Sequence, residues 1–431
     1  MGTSWTNWSR TAFANPQRVE HPASVEAIVE AVTSAPAVRP RGSGHSFTGI
    51  AVAPGVAVDL DAWTGVVDVD RDACLVTVRS GTTLRELNAA LDRLGLALPN
   101  LGDIDAQTVA GAVSTGTHGT GAELGGLATL VAALELVLAD GSVVRCSATE
   151  RPDLFSAARV GLGALGIITT LTLRCVPAFA LHACESPGRL DAVLEEFDAL
   201  TAAEDHVEFH WFPHGDHVIV KRNNRLPADA ERRPLSALRR FYEYEVVENA
   251  AFGLVCHLAR AVPSTTRRLN RVCGSLVSER VYDDVSHRVF TTPRRVRFVE
   301  TEYALPREAL HGVLRELRSA VARLDHGVIV PVEVRVARAD DVWLSTAHGR
   351  DTAYVAVHQF LGMPYRQYFD TFEQIACSVG GRPHWGKMHS LDAAVLRERY
   401  PHFDDFRRVR AAVDPEGRFT NPYLDRVLGR V

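Results

Sequence analysis

Residues Arg41–Phe47, with the sequence Arg-Gly-Ser-Gly-His-Ser-Phe, restrict the fold more than any other stretch of the chain. Glycine adopts backbone conformations that other residues avoid, and it lets a ligand approach the main chain closely. Main-chain N–H groups presented by such a loop can bind phosphate oxygens. The stretch alone leaves two interpretations open: a surface turn with an incidental histidine, or a phosphate-binding loop that places His45 near the rest of the ligand.

Length and composition indicate a globular protein with more than one core. A chain of 431 residues favours two domains or one domain with a large insertion. Its hydrophobic fraction of 46% and charged fraction of 23% are typical of a soluble protein. The 47 basic and 52 acidic residues are intermixed and give a net charge of -5, so we expect no nucleic-acid partner. We expect the charge run over residues 231–240 to be a solvated helix face.

Cysteine usage and the ends of the chain predict a cytoplasmic protein. The seven cysteines are scattered and include no Cys-x-x-Cys pair, so we expect neither a disulfide framework nor a zinc site. The first residues lack the basic and apolar regions of a secretory signal. No apolar run approaches the roughly 20 residues of a membrane span. There is no His-Glu-x-x-His motif and no close cluster of carboxylates, so we expect no metal site.

Short strands and helices alternate with glycine-rich segments in the first part of the chain. Apolar spacing and capping residues predict helices over residues 21–33 and 82–94. Predicted strands occupy residues 38–40, 56–60, 75–79, 129–138 and 142–146. This order favours an α+β or α/β layer. A second segment rich in glycine and threonine, residues 109–121, is hard to bury unless a ligand with many acceptors lies against it.

Residues Gly161–Gly166 match the Gly-x-Gly-x-x-Gly pattern in the wrong context for a Rossmann unit. That fingerprint follows a strand and opens a helix. Here a predicted helix over residues 153–160 comes first, and a predicted strand over residues 167–173 follows. We therefore predict a tight helix-to-strand turn and no classical dinucleotide-binding unit.

Longer strands and helices begin at about residue 177. Predicted strands occupy residues 207–212, 296–303, 328–336 and 353–360. A long helix is predicted over residues 307–324, and the segment 241–262 has a mixed pattern. These elements predict a second domain built on an antiparallel sheet.

Charged residues of the second half form a candidate site. Glu333 and Arg335 lie two apart on a predicted strand, so their side chains point to the same face. They form either a same-face salt bridge or a wall together with His358 on another strand. The loop 381–389 is either a basic surface turn or aims His384 and Lys387 into a pocket. Cations near an alcohol stabilise its alkoxide-like transition state, which favours an oxidation site.

With these motifs the chain resembles the vanillyl-alcohol-oxidase-type flavoproteins of the sugar-1,4-lactone oxidoreductase group. That group includes L-gulonolactone oxidase, D-arabinonolactone oxidase and alditol oxidase. Residues Arg41–Phe47 are similar to its pyrophosphate loop, whose histidine is joined covalently to the flavin 8α-methyl group. The further similar segments are Leu98–Asp103, Gly116–Gly121, Gly163–Ile168, Glu333–Arg335, His384–Lys387 and Asp414–Tyr423. The similarity extends from about Trp5 to Leu428.

The resemblance implies an α+β fold with FAD as the cofactor, bound covalently through His45. It implies a two-subdomain FAD-binding domain of the PCMH type over residues 10–176. A cap domain with an antiparallel sheet flanked by helices would span residues 177–411, and residues 412–431 would return to the FAD domain. The implied FAD-binding residues are Arg41, Gly42, Ser43, Gly44, His45, Ser46, Phe47, Gly102, Asp103, Thr108, Gly111, Ser114, Thr115, Thr117, His118, Gly119, Thr120, Gly166, Ile167, Ile168 and His384.

The implied reaction is oxidation of a sugar 1,4-lactone of the L-gulono or D-arabinono type, with hydride transfer to flavin N5. Arg335 and Lys387 would lower the pKa of the reacting hydroxyl and stabilise the reduced flavin. Glu333 would bind substrate hydroxyls. His358 would either accept a proton or orient the substrate.

The resemblance leaves the electron acceptor and two alternative functions open. Oxygen or another acceptor would take the electrons, and Gly102, at the position that controls oxygen access, favours oxygen. An alditol oxidase that produces hydrogen peroxide is the first alternative. Asp103 stands where alditol oxidases have serine, which favours a lactone over an open-chain polyol. The second alternative is a flavin-binding protein without redox turnover, for which the cations Arg335 and Lys387 would be unnecessary.

Overall fold

The computed structural model describes residues 4–227 and 229–431. Its α-helices are α1 (Val25–Thr33), α2 (Leu84–Leu94), α3 (Val109–Ser114), α4 (Pro152–Ala158), α5 (Leu190–Ala203), α6 (Ala237–Phe241), α7 (Phe252–Ala261), α8 (Thr266–Ser275), α9 (Ser286–Phe290), α10 (Leu310–Arg323), α11 (Arg366–Ser378), α12 (Ala393–Arg399), α13 (Phe403–Val413) and α14 (Pro422–Leu428). Its strands are β1 (Trp5–Thr6), β2 (Phe13–Ala14), β3 (Arg18–Glu20), β4 (Val38–Arg41), β5 (Val56–Asp59), β6 (Val66–Asp70), β7 (Leu75–Arg79), β8 (Leu96–Ala97), β9 (Val131–Val137), β10 (Val143–Ser147), β11 (Ile167–Arg174), β12 (Val176–Pro177), β13 (Ala180–Arg189), β14 (His206–Trp211), β15 (His217–Arg225), β16 (Arg280–Val285), β17 (Phe298–Pro306), β18 (Val332–Ala337), β19 (Thr352–Phe360) and β20 (Arg382–Pro383).

Two sheets form the layer that holds the glycine-rich segments. β3 and β4 pair in parallel with β5, and a second, antiparallel sheet has the strand order β10-β9-β11-β7-β6. α1 begins at Val25, after residue 21 where its start was predicted, because Ser24 is its N-cap and accepts the N–H of Ala27. At the start of α2, Thr83 and Glu86 form a capping box. Both predicted helices are confirmed, and each begins a few residues after its predicted start.

The second half of the chain contributes an antiparallel sheet of eight strands, in the order β16-β13-β15-β14-β18-β19-β17-β20. Successive side chains of a strand point to opposite faces of a sheet. One face packs its apolar residues, such as Val332, Val334 and Val336, against the helices α5, α10 and α11. The other face lines a cavity and carries charged residues. The predicted antiparallel sheet is confirmed.

Some element boundaries differ from the predicted ones. β18 begins at Val332 and not at residue 328, because the preceding Pro331 has no N–H for a strand ladder. The segment of mixed pattern is a π-helix, Tyr242–Ala251, that continues directly into α7. Most of residues 231–240 are exposed, as predicted, but the segment is helical only from Ala237 onward and also exposes the apolar Leu238.

The C-terminal helices return to the first layer. Tyr400 of the loop after α12, Phe406 of α13 and Leu424 of α14 belong to the same apolar core as Leu87 and Val113. The last part of the chain thus covers the layer that carries the glycine-rich segments.

Arg39 of β4 joins distant parts of this layer without a carboxylate partner. It is fully buried and donates hydrogen bonds to the carbonyl oxygens of Ile50, Leu162, Gly163 and Phe419. Burial lowers its pKa to about 9. These four hydrogen bonds fix the turn before β11 and the C-terminal segment against β4. Without the Arg39 side chain, four carbonyl groups would lose their donor.

The turn Gly161–Gly166 connects α4 to β11, as predicted. Leu162, Gly163 and Gly166 have φ values of 53°, 65° and 151°, which lie in the region that favours glycine.

None of the described helices is both long and apolar enough to cross a membrane. The seven cysteines all lie in the described ranges and are free thiols.

Candidate active site

The segment Arg41–Phe47 begins at the last residue of β4 and borders a cavity of about 110 Å³, here called the glycine-lined cavity. The other walls come from α3 with the residues before it and from the turn that leads into β11. Sequence-predicted residues in its wall are Arg41, Gly42, Ser43, Gly44, His45, Ser46, Thr108, Gly111, Ser114, Thr115, Gly166, Ile167 and Ile168.

The glycine-lined cavity is bordered by small residues and by buried hydrogen-bond donors that have no partner within the described ranges. A Cβ atom at Gly42 would lie 2.5 Å from Oγ1 of Thr108, and Gly44 has a φ of 72°. Arg41 pairs with Asp59 through two hydrogen bonds of 2.7 and 2.6 Å. Nη1 of Arg41 and Oγ of Ser80 are buried, and neither has a hydrogen-bond partner among the described residues. Such orphaned donors fit a ligand with several anionic oxygens.

A second cavity of about 550 Å³, here called the sheet cavity, adjoins the first. His45, Ser46, Gln107 and Thr115 line both cavities. One ligand can therefore extend from the glycine-lined cavity into the sheet cavity. The sequence-predicted residues in the wall of the sheet cavity are His45, Ser46, Phe47, Gly102, Asp103, Thr115, Thr117, His118, Glu333, Arg335, His358, His384 and Lys387.

The structure places Gly119 and Thr120 behind the walls of both cavities. A Cβ atom at Gly119 would lie 2.3 Å from Oδ1 of Asn100. The hydroxyl of Thr120 accepts the N–H of Val336 and donates to the carbonyl of Val207. Thr120 therefore joins the first layer to the eight-stranded sheet, and Gly119 packs against Asn100. The prediction that these two residues contact the cofactor finds no support in the cavity geometry.

His45 lies where the two cavities meet. Its ring stacks on Trp8 with a centroid distance of 5.8 Å. Burial lowers its pKa, and the cations Lys387 and Arg297 lower it further. The imidazole is therefore neutral near pH 7 and has a lone pair on one ring nitrogen.

Arg335 is the centre of the charged wall of the sheet cavity. Its Nη2 lies 2.5 Å from Oδ1 of Asp103, and its Nε donates to Oε2 of Glu208 at 2.7 Å. Burial alone would lower its pKa, but Asp103, Glu208 and Glu333 together raise it well above its usual value. Its positive charge is therefore permanent and its guanidinium group is held in a fixed direction.

Further cations neutralise the same cluster. Lys221 lies 2.9 Å from Glu208, and Arg294 lies 2.6 Å from Asp103. The carboxylates of Asp103 and Glu208 are therefore shared between two cations each. Although burial raises the pKa of both groups, their cations lower it, to about 2 for Glu208.

Glu333 forms an ion pair with Arg335 but makes no side-chain hydrogen bond among the described residues. Its Oε1 lies 2.5 Å from Nη2 of Arg335, but the angle does not allow a hydrogen bond, and the atom is buried without a partner among the described residues. Burial raises the pKa of Glu333 to about 7 although Arg335 opposes the shift, and Asp103 and Glu208 add to the increase. A buried, unpartnered carboxylate oxygen beside a fixed cation can bind a hydroxyl group.

Lys387 also lines the sheet cavity, where it lies next to two glutamates of β17. Its Nζ is 2.5 Å from Oε1 of Glu300 and 3.8 Å from Oε2 of Glu302. Burial raises the pKa of Glu300, but Lys387 and His358 outweigh this effect and lower it to about 2. Lys387 also lies over the ring of Phe47 at 5.1 Å, so this cation faces the first layer.

Both ring nitrogens of His358 face hydrogen-bond acceptors. Nδ1 lies 3.0 Å from the carbonyl oxygen of Pro331, and Nε2 lies 3.3 Å from Oε1 of Glu300. Burial lowers the pKa of His358, but Glu300 outweighs it, so the net change is upward. The imidazole therefore holds its second proton more tightly than a free one does.

The loop around His384 is buried, which excludes a basic surface turn. Trp385 is fully buried and donates its indole N–H to the carbonyl of Leu344. Nδ1 of His384 accepts the N–H of Gly386. Burial lowers the pKa of His384 to about 4, so the ring is neutral. The tight turn directs Lys387 into the cavity.

Sequence reasoning missed several ionisable residues in or next to this wall: Glu208, His210, Lys221, Arg294, Glu300 and Glu302. One signal could have found two of the cations. Lys221 and Lys387 are the two lysines among the 47 basic residues, and both line the sheet cavity. The glutamates alternate with apolar residues on β14 and β17, but strands with one solvated face show the same alternation.

Three groups of His and carboxylate side chains place possible ligand atoms within 4.8 Å of one another. The groups are His118 with Glu302 and His384, Glu208 with His210 and Glu333, and Glu300 with Glu333 and His358. Lys387 and Arg335 lie against their carboxylates and repel a further cation. The absence of a metal stays a prediction.

Comparison with known proteins places the chain in a family. The family model described as D-arabinono-1,4-lactone oxidase matches residues 171–427, more than half of the chain. The chain belongs to this family. A second model, described as an FAD binding domain, matches residues 16–147 and so covers the Arg41–Phe47 loop.

Curated relatives match this family member over its full length. L-gulono-1,4-lactone dehydrogenase from Mycobacterium tuberculosis is 41% identical over 433 residues and covers 100% of both chains. L-gulonolactone oxidase from Mus musculus is 34% identical and covers 99% of this chain and 98% of its own. Alditol oxidase from a Streptomyces species is 35% identical, with 99% and 100% covered.

Solved structures share the fold at low sequence identity. A solvent-stable cholesterol oxidase superimposes with a TM-score of 0.81 at 18% identity and covers 100% of this chain and 98% of its own. Cholesterol oxidase from B. sterolicum gives a TM-score of 0.81 at 17% identity, with 99% and 97% covered. These structures confirm the fold, and the match of residues 16–147 to the FAD binding domain model confirms it as an FAD-binding fold.

The two adjoining cavities fit FAD. The small residues and orphaned donors of the glycine-lined cavity suit the anionic pyrophosphate end. The flavin end would then extend into the sheet cavity, because His45, Ser46, Gln107 and Thr115 line both spaces. Arg41, Ser43 and Ser80 are positioned to hold the first end, and His45 and Lys387 the second.

Proposed function

We propose that this protein oxidises a sugar 1,4-lactone of the L-gulono or D-arabinono type and passes the electrons to oxygen or another acceptor. The observation that carries the proposal is Oε1 of Glu333, a buried carboxylate oxygen without a hydrogen bond, next to Arg335 in the sheet cavity. The names of the relatives from M. tuberculosis and mouse support a lactone as substrate.

The proposed roles follow from charge and position. When bound, FAD supplies the acceptor for the hydride. Glu333 accepts a hydrogen bond from a substrate hydroxyl and, in its ionised form, takes the proton of that hydroxyl, whose pKa Arg335 lowers. Lys387 places a positive charge beside the flavin end, where negative charge develops on reduction. His358 orients the substrate, because one ring nitrogen is directed at the carbonyl oxygen of Pro331 and the other at the carboxylate of Glu300.

A substrate panel tests this function. The purified holoprotein is mixed anaerobically in a stopped-flow instrument with L-gulono-1,4-lactone, D-arabinono-1,4-lactone, xylitol or sorbitol. We expect a lactone to bleach the flavin absorbance. Bleaching by the polyols alone would replace the proposal by the alternative, an alditol oxidase, which the relative from Streptomyces supports. A flavin that no sugar reduces would indicate a binding protein without turnover.

We also propose that His45 is joined covalently to the flavin 8α-methyl group. Its position at the junction of the cavities and its neutral ring support the bond. After denaturation in acid and centrifugation, we expect yellow colour in the protein pellet. His45→Ala should release all of the flavin, with His21→Ala, an exposed histidine of the first layer, as the control. Free flavin from the unchanged protein would contradict the bond.

Access of oxygen to the flavin can be tested at Gly102. Gly102 lies in the wall of the sheet cavity. A Cβ atom at this position would lie 3.0 Å from the carbonyl oxygen of His118, so an added methyl group would crowd this part of the wall. We expect Gly102→Ala to slow reoxidation of the reduced flavin by oxygen about tenfold, while anaerobic reduction stays close to normal. Equal reoxidation rates in both proteins would show that Gly102 does not form the oxygen path.

We also propose a cellular location and domain boundaries for this protein. The free thiols of the seven cysteines support the reducing cytoplasm as the location. We place the FAD domain at residues 10–176, the cap domain at 177–411 and the returning segment at 412–431. Limited proteolysis with mass spectrometry would test these boundaries, and we expect the first cuts near residue 177.

A further inference from the structure

His118 and Glu302 form a buried pair that joins the first layer to the eight-stranded sheet. His118 lies in the loop after α3, and Glu302 lies on β17. Nε2 of His118 is 3.0 Å from Oε1 of Glu302, and only 4% and 7% of the two side chains are exposed. An ionised carboxylate only accepts hydrogen bonds, so Nε2 donates. Both residues line the sheet cavity, into which the flavin end of FAD would extend.

The surroundings of His118 hold its ring in one orientation. Nδ1 lies 2.9 Å from the carbonyl oxygen of Gly119, so each ring nitrogen faces an acceptor. The ring stacks on Tyr354 with a centroid distance of 3.5 Å and an angle of 16° between the planes. Tyr354 and Glu302 occupy diagonal positions of the paired strands β19 and β17, on one face of the sheet. The sheet therefore determines where this ring lies.

Glu302 is also close to the turn that carries Lys387. Its Oε2 lies 3.8 Å from Nζ of Lys387. In the same turn, the carbonyl oxygen of Gly386 accepts the N–H of Phe47 at 2.7 Å, two residues after His45. Glu302 and Lys387 thus lie at the end of the sheet cavity that the flavin would enter.

A buried carboxylate at this position has a defined electrostatic effect. Burial raises the pKa of Glu302, but His118 and Lys387 outweigh burial and hold this pKa well below its usual value. The carboxylate is therefore ionised near pH 7. Reduction adds negative charge to a flavin, so a neighbouring negative charge opposes reduction and a positive charge favours it. Glu302 and Lys387 consequently act in opposite directions.

We propose that Glu302 is a positioning residue that lowers the reduction potential of the bound flavin. It orients His118, and its charge offsets part of the charge of Lys387. His118 limits this effect, because the hydrogen bond that it donates compensates part of the carboxylate charge. A lower potential favours the passage of electrons from the reduced flavin to the acceptor. The inference requires bound FAD and is independent of the sugar that the protein oxidises.

Redox titration of the intact holoprotein tests the proposal. The flavin is reduced anaerobically with dithionite beside a reference dye, so no sugar is needed. We expect Glu302→Gln, which keeps an acceptor for His118 but removes the charge, to raise the midpoint potential by about 30 mV, a tenfold change in the two-electron equilibrium constant. His118→Asn should lower the midpoint potential, because it weakens the compensation of Glu302.

Glu373→Gln is the matched control. Glu373 of α11 binds the hydroxyl of Tyr303, the residue after Glu302 on β17, and accepts the N–H of Ser390 at 2.9 Å. Tyr303 belongs to the apolar core on the other face of the sheet. This variant also removes a carboxylate that is bonded to β17, so it should lower the melting temperature but leave the midpoint potential unchanged.

Three results would overturn the proposal. The first is a midpoint potential of Glu302→Gln that equals or lies below that of the unchanged protein. The second is a raised potential in His118→Asn. The third is a shift of the same sign and size in Glu302→Gln and Glu373→Gln, which would indicate a general loosening of the fold. A protein that shows the expected shifts but that no lactone reduces would retain this inference and lose the proposed function.

Discussion

Replacing Lys387 by methionine slows flavin reduction by the lactone roughly 100- to 1,000-fold while FAD stays bound. Lys387 is the cation that lies over Phe47 and faces the first layer. Methionine preserves most of the apolar volume but removes the charge that stabilises the reduced flavin. Anaerobic stopped-flow kinetics measure the rate, and the flavin absorbance of the purified protein measures binding.

The chain supplies a matched control for this substitution. Lys221 is the other lysine, and it also pairs with a buried glutamate, Glu208, at 2.9 Å. Both substitutions leave a buried carboxylate with less compensation, so both should lower the melting temperature by a similar amount. Lys221 lies on β15, four strands away from β17 and its glutamates, so Lys221→Met should retain much more flavin reduction. Equal loss in the two variants would show that lost stability, and not the lost charge beside the flavin, explains the effect.

Glu333→Gln lowers the rate of flavin reduction about 10- to 100-fold and removes a pH transition near 7. Glu333 has a pKa of about 7, so its carboxylate loses its proton as the pH rises through this value. The ionised form accepts a stronger hydrogen bond from a substrate hydroxyl, so the rate in the unchanged protein should rise between pH 6 and pH 8, about one unit on each side of this pKa. The variant should give a flat profile over the same range.

The same pKa predicts a change in stability, with a defined sign. The folded-state value of about 7 lies above the usual value of 4.5, so the native state binds more protons than the unfolded state between these pH values. The contribution of Glu333 to the unfolding free energy is therefore largest below pH 4.5 and is lost as the pH rises through 7. Denaturant titrations of both proteins should show Glu333→Gln gaining relative stability toward pH 8, one unit above that pKa. A pH-independent difference would contradict the raised pKa.

The local features of the site could be predicted from the sequence. The glycines and hydroxyls of Arg41–Phe47 predict a phosphate-binding loop, and this loop borders the glycine-lined cavity. The two-residue spacing of Glu333 and Arg335 predicts one common face, and their atoms lie 2.5 Å apart. Both predictions depend on backbone geometry over a few residues, which the local sequence determines.

Partners from distant parts of the chain could not be predicted in this way. Glu208 contacts Arg335 because β14 pairs with β18, although 127 residues separate them. Glu300 lies opposite His358 because β17 pairs with β19. Strand order and register determine these neighbours, and the alternation of one strand contains no information about the strand that pairs with it.

The chemical properties of the site likewise depend on tertiary structure. The sequence by itself determined the glycine-rich loops, the strand faces and the cations Arg335 and Lys387. Only the folded chain decided that Glu333 titrates near 7, that Gly119 and Thr120 lie behind the cavity walls, and that residues 238–262 turn an apolar face outward. A pKa and the exposure of a helix face depend on burial and on the charges of neighbouring elements, which the pairing of distant segments brings together.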